Sequence, residues 1–225
     1  MTPSCTIALD GSTYRGSVAV FHDSEIVAER TLAGESGAGR GEKLMPAIAE
    51  CLKEAGIERE AIARIVCGSG PGSFTSLRVA GSVAKGLAVG YGVDLFAVPS
   101  LVLTVSGARP ALAAGEYLSV LDAMRGEFFA ARITLRPGQT PVQAEPTRIV
   151  GAEDLRDLAE REPAVKVIGP GQRLDFYPHA RGVAPLLKSL VERPPVDLAS
   201  WEPDYGRLAE AQVRWEAAHG RPLPR

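Results

Sequence analysis

Twice in this chain an apolar run ends in Leu-Asp, passes through a short turn containing glycine, and re-enters a second apolar run. The first copy reads Cys5-Thr6-Ile7-Ala8-Leu9-Asp10, then a turn to Gly16, then Ser17-Val18-Ala19-Val20-Phe21. The second reads Tyr117-Leu118-Ser119-Val120-Leu121-Asp122, then a turn holding Arg125 and Gly126, then residues 127–135. Strand, tight turn and returning strand make a hairpin. Its recurrence in the second half of the chain points to two similar lobes packed side by side. With 225 residues there is length enough for that and for a sizeable core. The expected division is 1–103 for the first lobe and 104–202 for the second, with 203–225 as a C-terminal helix packing back on the first.

Between the hairpins the pattern alternates. Residues 25–32 read as a third strand, and 34–41, with four glycines, as a mobile loop. Leu44, Met45, Ile48, Cys51, Leu52 and Ala55 fall on one face of a helix opposite Glu50, Lys53 and Glu54, with Gly56 as a stop. Pro46 belongs near the first turn of that helix. Residues 63–67 predict a strand, 75–89 a second helix and 94–98 another strand closed by Pro99. In the second half, 142–150 predict a strand, 153–161 a helix, 164–168 a strand, 184–191 a helix and 205–219 a final polar helix.

Composition excludes several classes. A formal net charge of −2 lacks the basic excess of a free-standing nucleic-acid binder, so a partner would supply the phosphate contacts to any RNA. Cys5, Cys51 and Cys67 each sit in an apolar run and read as small buried hydrophobes in a reducing compartment. The chain opens without a basic-then-apolar leader, and no stretch approaches the ~18 apolar residues of a membrane span, so a cytoplasmic location is expected.

The strongest local signal is Gly68-Ser69-Gly70-Pro71-Gly72-Ser73-Phe74-Thr75 between strand and helix. Glycines let backbone amides converge, and the following helix presents its positive end, as an anion site requires. The same run also serves as a tight turn with Ser73 or Thr75 as a cap, and the sequence leaves both readings open. Asp10, beside Ser12 and Thr13, could hold a hydrated Mg²⁺ in a strand–turn–strand phosphate loop or simply open a turn. Candidate nucleotide- and phosphate-binding residues are therefore Asp10, Ser12, Thr13, Gly70, Gly72, Ser73 and Thr75, and ATP or ADP with Mg²⁺ is the cofactor such a site would take. Gly-x-x-x-x-Gly-Lys-Ser/Thr and Gly-x-Ser-x-Gly do not occur, and Ser73 falls where a dinucleotide fingerprint needs its last glycine. His22, His179 and His219 share no ligand spacing, so neither a metal site nor a catalytic residue is expected. The second helix is lined with small residues, among them Gly81, Ser82 and Gly86, at a cost in helix propensity of roughly 1 kcal/mol for each interior glycine. Close approach of another backbone would explain them.

These residues resemble the TsaB (YeaZ) family. The resemblance rests on Ile7-Ala8-Leu9-Asp10-x-Ser12-Thr13, on Gly68-x-Gly70-Pro71-Gly72-Ser73-Phe74-Thr75-x-Leu77-Arg78-Val79 and on Ala84-Lys85-Gly86-Leu87-Ala88. Val98-Pro99-Ser100-Leu101, Leu121-Asp122-Ala123-x-Arg125-Gly126-Glu127 and Pro203-x-Tyr205-x-Arg207-x-x-Glu210-Ala211 continue it in family order. It implies an α/β, two-lobed actin/sugar kinase/Hsp70-like fold, each lobe a ribonuclease-H-like mixed sheet with helices. It implies a non-catalytic dimerisation or scaffold subunit for the catalytic TsaD. With the ATPase TsaE, that complex places threonylcarbamoyl on N6 of adenosine 37 in tRNA, so tRNA would be met through the complex. A homodimer of the isolated chain is compatible with it. Leu44, Met45, Ile48 and Leu52 of the first helix, with Val79, Gly81, Ser82, Val83, Gly86 and Leu87 of the second, are the expected partner surface, two helices pairing with two of TsaD. The chain departs from the family pattern at Arg40-Gly41-Glu42, where His-Ser-Glu is usual, at Ser76, where Gly is usual, and at Gly11, where Thr is common. The alternative is a stand-alone ATP-dependent enzyme of the same fold, a small kinase or carbamoyltransferase, which would need complete phosphate loops and a catalytic base. A peptidase would need a nucleophile–base pair or a metal site, and neither is found.

Overall fold

A computed structural model describes residues 4–32, 43–207 and 218–220. The expected loop at 34–41, the departure at residues 40–42 and most of the expected terminal helix lie outside the described residues. The first sheet has the order β3-β2-β1-β4-β5, built from β1 (Cys5–Asp10), β2 (Ser17–His22), β3 (Glu25–Thr31), β4 (Ile62–Gly68) and β5 (Asp94–Val98). β1 runs antiparallel to β2 and parallel to β4, which in turn pairs parallel with β5. β1 is buried along its whole length, which suits a central strand of apolar and small residues covered on both faces.

α1 (Leu44–Ala55) and α2 (Phe74–Tyr91) make the crossovers between the parallel strands. Each stops at a glycine in the left-handed region, Gly56 at φ 64° and Gly92 at φ 70°, where a Cβ would be strained. Pro46 stands in the first turn of α1, where its missing N–H is no loss. α3 (Ser100–Ser106) is a helix the sequence reading did not place. It follows β5 directly and is buried from Ser100 to Val105, so it carries no polar face to mark a helical period.

The second sheet repeats the scheme. β6 (Gly115–Asp122) runs antiparallel to β7 (Glu127–Leu135) and parallel to β10 (Val165–Ile168). β6 thus corresponds to β1, β7 to β2 and β10 to β4, and the two Leu-Asp ends occupy matching places. The single strand expected over 142–150 is instead two short strands, β8 (Val142–Gln143) and β9 (Arg148–Gly151), both pairing with β7. Pro146 interrupts them because it cannot donate to a ladder. α4 (Ala152–Arg161) precedes β10. The helix expected over 184–191 is a 3₁₀ segment, Ala180–Leu186, passing into the single turn α5 (Leu187–Leu190), because Pro185 deprives a regular helix of a donor there.

The layers follow from what each face buries. α1 and α2 cover one face of the first sheet through Ile48, Cys51, Ala80, Ala84 and Leu87. Its other face, with Ala8, Phe21, Val66 and Phe96, packs on α3, the 3₁₀ segment and the Tyr117, Leu121 and Phe129 face of the second sheet. α4 covers the far side of that sheet through Leu155 against Leu118, Val120 and Ala130. All three cysteines are buried and unbridged. No helix among the described residues is long and apolar enough to cross a membrane.

Candidate functional site

β1 ends at Asp10 and β4 ends at Gly68, side by side in a parallel pair, so the β1–β2 turn and the glycine loop meet above the sheet. Asp10 is fully buried. One carboxylate oxygen accepts the Ser12 amide (3.0 Å) and the Ser12 hydroxyl (2.7 Å), and the other accepts the Ser100 hydroxyl (2.6 Å). Ser100 Oγ in turn accepts the Gly70 amide at 3.1 Å. Burial pushes the Asp10 carboxyl above its ordinary range, and the hydrogen bonds from Ser100 and Ser12 oppose that push. Burial, and then the nearby Asp10, likewise push the Cys67 thiol up.

Three amides of the glycine loop are engaged by the chain's own groups. Ser69 N–H donates to the Val98 carbonyl (2.8 Å), Gly70 N–H to Ser100, and Ser73 N–H to the Ser12 carbonyl (2.8 Å). A side chain at Gly72 would run into that Ser12 carbonyl, and one at Gly68 into the Asp10 carboxylate. The glycines therefore bring backbones and a carboxylate into contact, with the turn and the loop closed on each other. Ser73 stands at the N-cap of α2 but its side chain does not cap; its hydroxyl donates to Ser76 Oγ (3.1 Å). Thr13 is bonded locally to Arg15, and Thr75 is exposed. Gly11 and Ser76, two of the departures from the family pattern, face each other: a Cβ at Gly11 would lie 2.9 Å from the Ser76 carbonyl and 2.7 Å from the Ala80 Cβ. A cavity of about 590 Å³ lies elsewhere, between Phe129, Arg148 and Ile149 of the second sheet and the segment Pro203–Arg207; none of the candidate phosphate residues lines it. Among the described residues no three His, Cys, Asp or Glu side chains gather where they could hold a metal ion.

The sequence reading missed Ser100. It joins Asp10 to the glycine loop, and its signals were its place directly after Pro99 at the end of β5 and its membership of the Val98-Pro99-Ser100-Leu101 motif.

The second candidate site is the outer surface of α1 and α2, which lie next to each other on the first sheet. The expected residues divide there. Leu44, Ile48, Gly81 and Leu87 are buried within the chain, because their helix faces are turned to the sheet or to the C-terminal segment. Leu52, Val79 and Val83 are half-buried, Ser82 and Gly86 are exposed, and Met45 is 46% exposed. A Cβ at Gly86 would meet nothing within 4 Å, whereas one at Gly81 would lie 2.9 Å from Pro203 Cγ. The small residues thus answer two needs: Gly81 admits a segment of its own chain, and Gly86 leaves an open notch on the outer face.

Residues 38–166, more than half of the chain, match the family model described as "TsaD: tRNA N6-adenosine threonylcarbamoyltransferase". The "tRNA threonylcarbamoyladenosine biosynthesis protein TsaB" of Bacillus subtilis is 25% identical over 228 residues, covering 93% of this chain and 96% of that protein. The protein of the same name from Escherichia coli is 30% identical over 125 residues, 56% of this chain and 53% of its own length. The solved structure "YeaZ from Pseudomonas aeruginosa" superposes with a TM-score of 0.75 at 24% identity, covering 90% of this chain and 99% of that one. A second structure, described as an uncharacterized protein with similarity to peptidase YeaZ from Pseudomonas aeruginosa, gives 0.76 at 23% identity, with 91% and 100% covered. The fold is the two-lobed actin/sugar kinase/Hsp70 type with a ribonuclease-H-like sheet in each lobe. With this fold, this glycine loop and these relatives, the chain belongs to the family that the TsaD model describes and, within it, to the TsaB (YeaZ) group.

Proposed function

We propose that this chain acts in tRNA threonylcarbamoyladenosine biosynthesis as a non-catalytic scaffold subunit that binds the catalytic TsaD. TsaE completes the assembly, tRNA is met through the complex, and the setting is the cytoplasm. The observation that carries the reading is the outer face of α1 and α2, where Met45 stands exposed beside half-buried Leu52, Val79 and Val83 and the open notch at Gly86. Such a face has the small and apolar character that lets two helices of a partner approach closely. The bonds that the Ser69, Gly70 and Ser73 amides make within the chain, with the enclosed carboxylate of Asp10, support weak or no binding of ATP with Mg²⁺ by this chain alone.

Co-purification with TsaD, followed by a tRNA modification assay with and without this chain, tests the proposal. Met45→Asp and Gly86→Leu are expected to leave a folded protein that loses TsaD and fails to support modification. Overpacking costs about 1–3 kcal/mol, equivalent to a roughly five- to 150-fold loss of affinity. Well-folded variants that bind TsaD like the wild type would place the interface elsewhere. Turnover of ATP by this chain alone would favour the stand-alone enzyme.

A further inference from the structure

The segment Trp201–Arg207 carries the terminal motif, and its contacts cross from one lobe to the other. Trp201 packs on the core of the first lobe with Lys85 of α2 over its ring at 5.9 Å, and Pro203 fills the space that Gly81 leaves. The Asp204 amide then donates to the Ser69 carbonyl at 2.7 Å, and the Asp204 carbonyl sits where a side chain at Gly70 would be. The Tyr205 ring packs at a tilt of 47° against Phe74 at the start of α2, ring centroids 4.6 Å apart. Gly206, at φ 68°, packs against Pro71 of the glycine loop and the Phe129 ring of the second sheet, and Arg207 pairs with Glu127 at the start of β7. Three glycines, Gly70, Gly81 and Gly206, are thus explained by one strap. A covering strand that merely filled space would not need a backbone hydrogen bond to one lobe and an ion pair to the other.

We propose that Trp201–Arg207 is an interlobe clamp: it covers the glycine loop and, beside the core that the two lobes share, fixes the first lobe against the second from within the chain. Hydrogen exchange on the full chain reads whether the strap is seated, through the Asp204 amide. Spin labels at Lys53→Cys on α1 and Glu160→Cys on α4, both exposed positions, read the distance between lobes; the native thiols are buried. In the wild type the amide is expected to be protected and the distance distribution narrow. Gly206→Val should speed exchange at Asp204 by about tenfold or more and broaden the distribution. Arg207→Glu, a change at the edge of the strap, should do the same in a chain that still folds, and Glu127→Arg with Arg207→Glu should restore both readouts. An Asp204 amide that exchanges freely in the wild type, or that neither variant affects, overturns the clamp. So does a distribution that stays narrow once that amide has been freed. None of these readouts involves TsaD, so the result stands apart from the proposed function.

Discussion

Asp10 and His179 are both buried ionisable side chains, and each is held in a form that its neighbours dictate. Removing the Asp10 carboxylate leaves the Ser12 and Ser100 hydroxyls and the Ser12 amide without their acceptor. Asp10→Ala is expected to cost about 2 kcal/mol, read by urea denaturation, with Asp10→Asn costing less because one acceptor oxygen survives. His179 is 7% exposed, and its Nδ1 accepts both the backbone amide and the Nε–H of Arg181 at 3.1 Å. The ring proton therefore lies on Nε2, which donates to Thr31 Oγ1 at 3.0 Å. Burial, and then the positive charges of Arg181 and Arg109, pull the His179 pKa down to about 3. Between its ordinary value of 6.5 and about 3, the unfolded chain binds a proton that the folded chain refuses. Acid therefore favours unfolding by up to roughly 1.4 kcal/mol per pH unit across that window, and above it the effect vanishes. Stability measured at neutral pH and near pH 5 should fall more steeply in the wild type than in His179→Asn; parallel slopes would remove His179 from the account. In the sequence His179 was one of three scattered histidines: Arg181 is near it in the chain, but Thr31, which receives its ring proton, and Arg109, whose charge acts on it, are remote. Asp10 was legible as an end-of-strand carboxylate, but its partner Ser100 was not.

Among the elements, α2 shows what sequence spacing could and could not separate. Its glycines and serine read as one stripe of small residues, yet Gly81 and Gly86 answer to different neighbours. In the isolated protein, Gly86→Ala adds a methyl group with nothing near it and removes backbone freedom from the unfolded chain, so a gain of about 0.5–1 kcal/mol is expected. Gly81→Ala places its methyl 2.9 Å from Pro203 Cγ and should be destabilising by about 1 kcal/mol or more. Denaturation midpoints that move in the same direction for both would contradict this division of roles. The amphipathic helix α1 was legible because its charged face is real: Glu54 on that face holds Arg30 of β3. α3 was not, because Leu101 to Val105 is buried on every side and shows neither period. The strand expected over 142–150 broke for a local reason, Pro146, while the 3₁₀ segment before α5 reflects Pro185. Turn and breaker chemistry thus decided the boundaries where periodicity alone was silent.

At the scale of the whole molecule, the duplicated Leu-Asp hairpin was enough to read two lobes, because a hairpin is local and its pattern survives in the sequence. How the lobes meet is a long-range matter and left no such trace. The central core is shared: Phe21, Val66 and Phe96 of the first sheet, Leu101 and Leu103 of α3, and Tyr117, Leu121 and Phe129 of the second sheet form one continuous cluster. α3 straddles the expected boundary between the lobes in sequence, and it packs against β6, β7 and the 3₁₀ segment. Neither sheet can keep its inner face dry without it, so the lobes should unfold together and not in turn. Leu103 is fully buried in this layer. Leu103→Ala is expected to lower stability by about 2–5 kcal/mol, and the loss should be felt in both lobes at once. Hydrogen exchange would then rise together at β1 and at β6, and thermal unfolding would remain a single transition with a lower midpoint. Two separate transitions, or faster exchange confined to the first sheet, would mean that the lobes are independent units joined by a contact and not by a common core.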